Sequence, residues 1–200
     1  MKSLAIAIVI AILTTFSTPK AYALTENLKT ALEQAEELPL TNFDKILFAI
    51  FEISEKQPAM QEHLSVKTIW ELAEAISRVH TATGVDWKLI LSISYVESRL
   101  CKGSLKGDKK RGRRGTRLSD YWATGCMQVH MRWWGPMVAD AGLKQSDLLD
   151  WEKGMMVGAV IIDHLVKRYG IRTGIRKYNG SGPTAEAYRA KVLKVYNKIS

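Results

Sequence analysis

Trp87-Lys88-Leu89-Ile90-Leu91-Ser92-Ile93-Ser94-Tyr95-Val96-Glu97 is a mostly apolar run that ends on a carboxylate. It reads as a helix, with no glycine or proline inside it and Asp86 placed to cap its start. Glu97 follows Ile93 by four residues and Ile90 by seven, so it shares their buried face. The helix has to stop soon after Ser98, because Gly103 and Gly107 flank a polar, basic stretch. A partly desolvated carboxyl near the negative end of a helix dipole keeps its proton to higher pH than a free one. That combination suits a proton donor at neutral pH. The competing reading is a helix-terminal glutamate paired at the surface with Arg99 or Lys102.

Working outward, the chain reads as almost wholly helical. Upstream, Ser65 predicts the cap of a helix in which Ile69, Leu72, Ala73, Ile76 and Val79 recur at three- and four-residue steps, and Gly84 stops it. Before that, Leu24 to Leu38 is a polar amphipathic helix ending ahead of Pro39. Thr41 to Lys56 is another, with Phe43, Ile46, Leu47, Ile50, Phe51 and Ile53 on its apolar side and Gln57-Pro58 as its breaker. Downstream, Lys102 to Thr124 lacks helical periodicity and reads as a loop with room for a short hairpin. Trp151 to Tyr169 carries the strongest helical pattern, lined by Met155, Ala159, Ile162, Leu165, Val166 and Tyr169 and ended by Gly170. A turn from Asn179 to Pro183 precedes a closing helix from Thr184, whose core face is Tyr188, Val192, Val195, Tyr196 and Ile199. No alternating stretch is long enough for a substantial sheet. The expectation is a mainly α domain over 66–200 with an extra N-terminal helical segment over 24–65.

Residues 1–23 have the form of a cleaved secretory signal. Lys2 supplies the positive start, Leu4 to Leu13 an apolar stretch, and Ala21-Tyr22-Ala23 a small-x-small site. The apolar stretch is short for a membrane span, which needs about 20 residues. The net charge of +9 is concentrated between Lys102 and Arg117, where eight basic residues stand against Asp108 alone. Such a run is a solvated surface or a polyanion site, and export points to an acidic extracellular polymer rather than to nucleic acid. Cys101 and Cys126 are the two cysteines. In an oxidising compartment a bridge between them would tie off the basic loop and contribute about 3 kcal/mol; two independent thiols are the alternative. His63, His80, His130 and His164 are scattered, so no metal site and no cofactor is expected.

Four short motifs fall in order: Glu97-Ser98, Gly125-Cys126-Met127-Gln128, Tyr178-Asn179-Gly180, and Tyr188-Arg189-Ala190-Lys191-Val192. This order resembles the lytic transglycosylases of the soluble-transglycosylase type (glycoside hydrolase family 23), which share a lysozyme-like fold with goose-type lysozyme. The resemblance covers about Val85 to Val195. The chain departs from the family pattern at Cys126, where leucine is usual, at Trp122 ahead of Ala123, and at Gly180-Ser181. The basic insertion before Gly125 is also longer than in the shortest members.

The resemblance implies a peptidoglycan glycan strand as substrate and Glu97 as the one catalytic acid and base, with 1,6-anhydro ends as products. Ser98, Gly125, Met127, Gln128, Tyr178 and Asn179 would position substrate or tune Glu97. Tyr121, Trp122, Trp133 and Trp134 bracket the Gly125 motif, and one of the adjacent tryptophans is expected to be buried. Asp120 is the nearest second carboxylate should a lysozyme-type muramidase use one. The alternatives are that muramidase and a non-catalytic wall-binding assembly module. The expected setting is a periplasmic monomer without membrane insertion. Size and export also fit local wall opening for a secretion, conjugation or pilus apparatus.

Overall fold

Glycines on one face of a long central helix decide how deeply everything near the carboxylate can sit. The computed structural model describes residues 19–34, 40–57, 60, 63–102 and 123–199. Among them lie eight α-helices: α1 Pro19–Gln34, α2 Phe43–Glu55, α3 Val66–Thr83, α4 Trp87–Ser98, α5 Met131–Asp140, α6 Trp151–Tyr169, α7 Ile171–Asn179 and α8 Gly182–Tyr196. A 3-10 turn, Gln145–Leu149, leads into α6. Strands β1 Ala123–Thr124 and β2 Val129–His130 form an antiparallel hairpin, Ala123 opposite His130 and Thr124 opposite Val129. The mainly α, lysozyme-like architecture expected from the sequence is what the chain adopts.

The boundaries follow local chemistry. The Ser65 hydroxyl accepts from the Thr68 N–H at 3.1 Å and opens α3. Gly84, at φ 69°, closes α3 with its N–H on the His80 carbonyl. The Asp86 carboxylate caps α4 by accepting from the Lys88 N–H at 2.9 Å. Two helices were not foreseen. α5 carries Gly135 and Pro136 within it, which hide its pattern. α7 is short and polar, with only Gly174 and Ile175 buried.

Helix α6 is the hub, packed by α1, α3, α4, α7, the 3-10 turn and β2. It is buried all round from Gly154 to Ile162, as a central helix must be. A Cβ on Gly154 would stand 2.5 Å from the Leu148 carbonyl oxygen, and one on Gly158 would stand 2.6 Å from the Met127 sulfur. The 3-10 turn and the hairpin therefore rest directly on its backbone.

The N-terminal segment belongs to the same core. Helix α1 starts at Pro19, ahead of the expected start at residue 24, and Leu24, Leu28 and Ala31 are buried with Ile46, Ile50 and Met60 against the residues of α6. Among the described residues no helix is long and apolar enough to cross a membrane.

Two glycines test how tightly this frame is set. Gly84 and Gly125 both have positive φ, but a Cβ on Gly84 meets nothing within 4 Å, whereas one on Gly125 would lie 2.1 Å from the Leu148 carbonyl oxygen. Gly84→Ala should cost about 1 kcal/mol from backbone strain alone. Gly125→Ala should cost about 3 kcal/mol or more, since backbone has to move as well. Denaturant unfolding of the two variants checks the difference; equal costs would refute the close packing.

Candidate active site

The end of α4 is an abrupt stop. Arg99, Leu100 and Cys101 take φ of 54°, 56° and 63°, and none is glycine. Left-handed backbone costs each such residue on the order of 1 kcal/mol, so the reversal needs anchors. The Arg99 N–H reaches the Tyr95 carbonyl at 2.9 Å and the Leu100 N–H the Ser94 carbonyl at 3.2 Å. Leu100 is buried. Cys101 is bridged to Cys126 with the Cα atoms 4.4 Å apart, so the two thiols form the disulfide. Ser98 adds a second tie: its hydroxyl donates to the Cys126 carbonyl at 2.7 Å and accepts from the Cys101 N–H at 2.8 Å. The last turn of α4 is thereby locked to the hairpin turn Gly125–Gln128.

That turn is closed on itself. The Gln128 N–H and its side-chain amide both donate to the Gly125 carbonyl, at 3.1 and 2.8 Å, with Gln128 itself at φ 50°. Met127 is fully buried, its side chain on Gly158. Its carbonyl accepts from the Tyr178 hydroxyl at 2.8 Å, which brings the end of α7 to the turn.

Glu97 sits where these parts meet. The residue is partly exposed, but protein surrounds its carboxyl, and burial raises the pKa to about 7 from 4.5. Tyr188 of α8 opposes the rise. Its hydroxyl is buried without a partner in full hydrogen-bonding alignment, yet close enough to the carboxyl to act on it. Burial first, and the charge of Glu97 second, hold the Tyr178 and Tyr188 hydroxyls well above the usual tyrosine range. Both are therefore neutral donors at any physiological pH. The arrangement is one carboxylic acid poised near neutrality beside two phenols, able to give a proton and take one back.

The sequence-derived residues Glu97, Ser98, Gly125, Met127, Gln128 and Tyr178 are brought together. Ser98 is engaged by backbone groups on both sides, and the Met127 side chain faces the core rather than solvent, so both form the frame around the acid. Asn179, the last residue of α7, is exposed. Arg99 makes no ion pair with Glu97 and borders a different groove. Tyr188 is the addition: it heads the fourth sequence motif and has the periodicity of a core residue, and the fold sets it against Glu97. Of the adjacent tryptophans, Trp134 packs partly buried on the core while Trp133 is 68% exposed beside His130. Asp120, Tyr121, Trp122 and the basic run from residue 103 onward lie outside the described residues. Among the described residues no three or more His, Cys, Asp or Glu side chains group as a metal site.

The raised pKa has a measurable sign. Folded Glu97 binds its proton more tightly than the unfolded chain does, so its ionisation costs stability as pH climbs from 4.5 to about 7. Glu97→Gln should match the native chain near pH 4 and exceed it at pH 8 by about 3 kcal/mol. Thermal unfolding at the two pH values checks this; a difference that does not change with pH would mean an ordinary surface glutamate. Reductant should lower stability by about 3 kcal/mol by opening the Cys101–Cys126 bridge, read by the same unfolding experiment.

A family model described as Transglycosylase SLT domain matches residues 74–198. No curated protein and no solved structure matches the chain.

Proposed function

Because this chain belongs to the transglycosylase SLT domain family, we propose that it is a peptidoglycan lytic transglycosylase in which Glu97 acts first as acid and then as base. The family acts on peptidoglycan glycan strands, and the observation that carries the finer reading is the enclosed Glu97 carboxyl with its pKa near 7. Protonated Glu97 gives its proton to the oxygen of the β-1,4 bond between N-acetylmuramic acid and N-acetylglucosamine as that bond breaks. The substrate's acetamido group stabilises the positive charge at C1. Glu97, now ionised, takes the proton of the C6 hydroxyl, and that oxygen closes on C1 to give a 1,6-anhydro ring without water.

The tyrosines support this cycle. Tyr178 holds the turn through the Met127 carbonyl, and Tyr188 offers a neutral hydroxyl to the carboxyl or to the acetamido oxygen. Gln128 adjoins Met127 and Asn179 adjoins Tyr178, the two residues joined by a hydrogen bond, which supports both as polar contacts for the sugar. Export to the periplasm is supported by the signal-like first 23 residues and by the disulfide, which persists in oxidising compartments.

Digestion of purified sacculi followed by mass spectrometry of the muropeptides tests the reading. The expected products carry 1,6-anhydro ends; reducing N-acetylmuramic acid ends would establish a hydrolytic muramidase instead. Glu97→Gln should lose about 10²–10⁴-fold in rate while staying folded. Native activity should fall as pH rises through about 7, when the acid loses its proton. Tyr188→Phe removes the group that lowers the Glu97 pKa, so the alkaline limb of its pH profile should move upward. A profile unmoved by that substitution would remove Tyr188 from the site.

A further inference from the structure

A groove of about 490 Å³ runs between α2, the end of α4 and α8, on the side of α4 away from Glu97. Its floor is apolar, made by Ile53, Val96, Val195 and Ile199. Its rim is cationic: Lys56, Arg99, Lys191, Lys194 and Lys198 stand against Glu52 alone. Glu52 is already paired with Lys56 at 3.7 Å. Among the described residues the other four cations have no ion-pair partner. Two further lining residues, Gln57 and Tyr95, are joined by a hydrogen bond from the Gln57 amide to the Tyr95 hydroxyl. Residues 52–57 lie outside the matched family region of 74–198, so this chain supplies that wall itself.

We propose that this groove binds the carboxylate-rich stem peptide carried by the glycan strand, and so makes cleavage prefer peptide-bearing strands. The proposal rests on the transglycosylase reading for the identity of the polymer. Charge complementarity selects a ligand with several carboxylates, and the apolar floor suits short aliphatic side chains between them. The volume fits a few residues rather than a folded partner. Position links the groove to the chemistry. Val96 adjoins Glu97 on α4 but faces the other side of that helix, and Lys191 lies about one turn of α8, roughly 5 Å, beyond Tyr188, so the groove opens just past the end of α4 from the acid. An extended peptide of four residues spans about 13 Å, more than the width of a helix with its side chains, so one attached to the sugar next to the scissile bond can pass the end of α4 and enter the groove.

The test compares two substrates: glycan strands bearing tetrapeptides, and the same strands stripped of peptide by an amidase. The variants are Lys191→Glu/Lys194→Glu, which reverses rim charge at exposed positions, and Ile53→Trp, which fills the floor without changing charge. Both should lower kcat/KM about tenfold on peptide-bearing strands, mainly through KM, and leave stripped strands unchanged. Raising salt should erase the native preference. Equal loss on both substrates, or no loss on either, would overturn the proposal while leaving the transglycosylase reading intact. If the native protein cleaves neither polymer, that reading fails on its own. Binding of free tetrapeptide by calorimetry then decides the groove: salt-sensitive binding weakened by the charge reversal sustains it, and no binding, or binding only of a long acidic protein segment, overturns it.

Discussion

The site depends on keeping water away from one carboxyl without giving it a countercharge. An arginine or lysine beside Glu97 would also satisfy a buried acid, but would pull its pKa down and leave it ionised at neutral pH. Burial acts in the opposite direction, and the phenol of Tyr188 only moderates it. The balance lands near 7, where a carboxylic acid can both release and recover a proton at neutral pH. Position does the rest: the carboxyl is at the last turn of a buried helix, against the negative end of its dipole, and the chain leaves immediately afterwards.

That immediate departure is costly and explains the anchors around it. Three successive left-handed residues without glycine would not persist in an isolated peptide. The disulfide offsets about 3 kcal/mol of the cost by restricting the unfolded chain, and the Ser98 hydroxyl satisfies both Cys101 and Cys126 backbone groups. The same two ties bring the hairpin turn to the acid. The turn in turn is set by α6, because Gly158 lets the Met127 side chain lie on its backbone, which leaves the Met127 carbonyl aimed at Tyr178. A continuous line of contacts thus runs from the central helix to both sides of Glu97.

Much of this was legible in the sequence because it lies in short-range signals. The caps at Ser65 and Asp86, the stop at Gly84 and the α6 pattern are each decided within a few residues. Glu97 could be read as half-buried from its spacing to Ile90 and Ile93. What could not be read depends on contacts between distant segments. Tyr188 has the spacing of a core residue, and its hydroxyl meets a carboxyl 91 positions earlier in the chain only when α8 packs on α4. Met127 as an apolar residue in a turn fits a sugar platform and a core plug equally well; Gly158, on another helix, decides for the plug. Helix α5 was hidden because Gly135 and Pro136 break the propensity that its tertiary contacts restore.

The boundary of the family match also bears on how the N-terminal segment should be understood. The match begins at residue 74, inside α3, so the matched region and the segment before it share a helix. Ile69 and Leu72 on one side of that point and Ile76 and Val79 on the other are all buried in one cluster with Leu28, Ile46 and Ile50. Removing the segment would expose the apolar faces of α3 and α6 to water, at roughly 25 cal/mol for each Å² uncovered. The segment is therefore not a tethered module that could move independently of the acid. Whatever α2 presents toward the end of α4 is held in register with Glu97 by the same core that keeps the carboxyl dry.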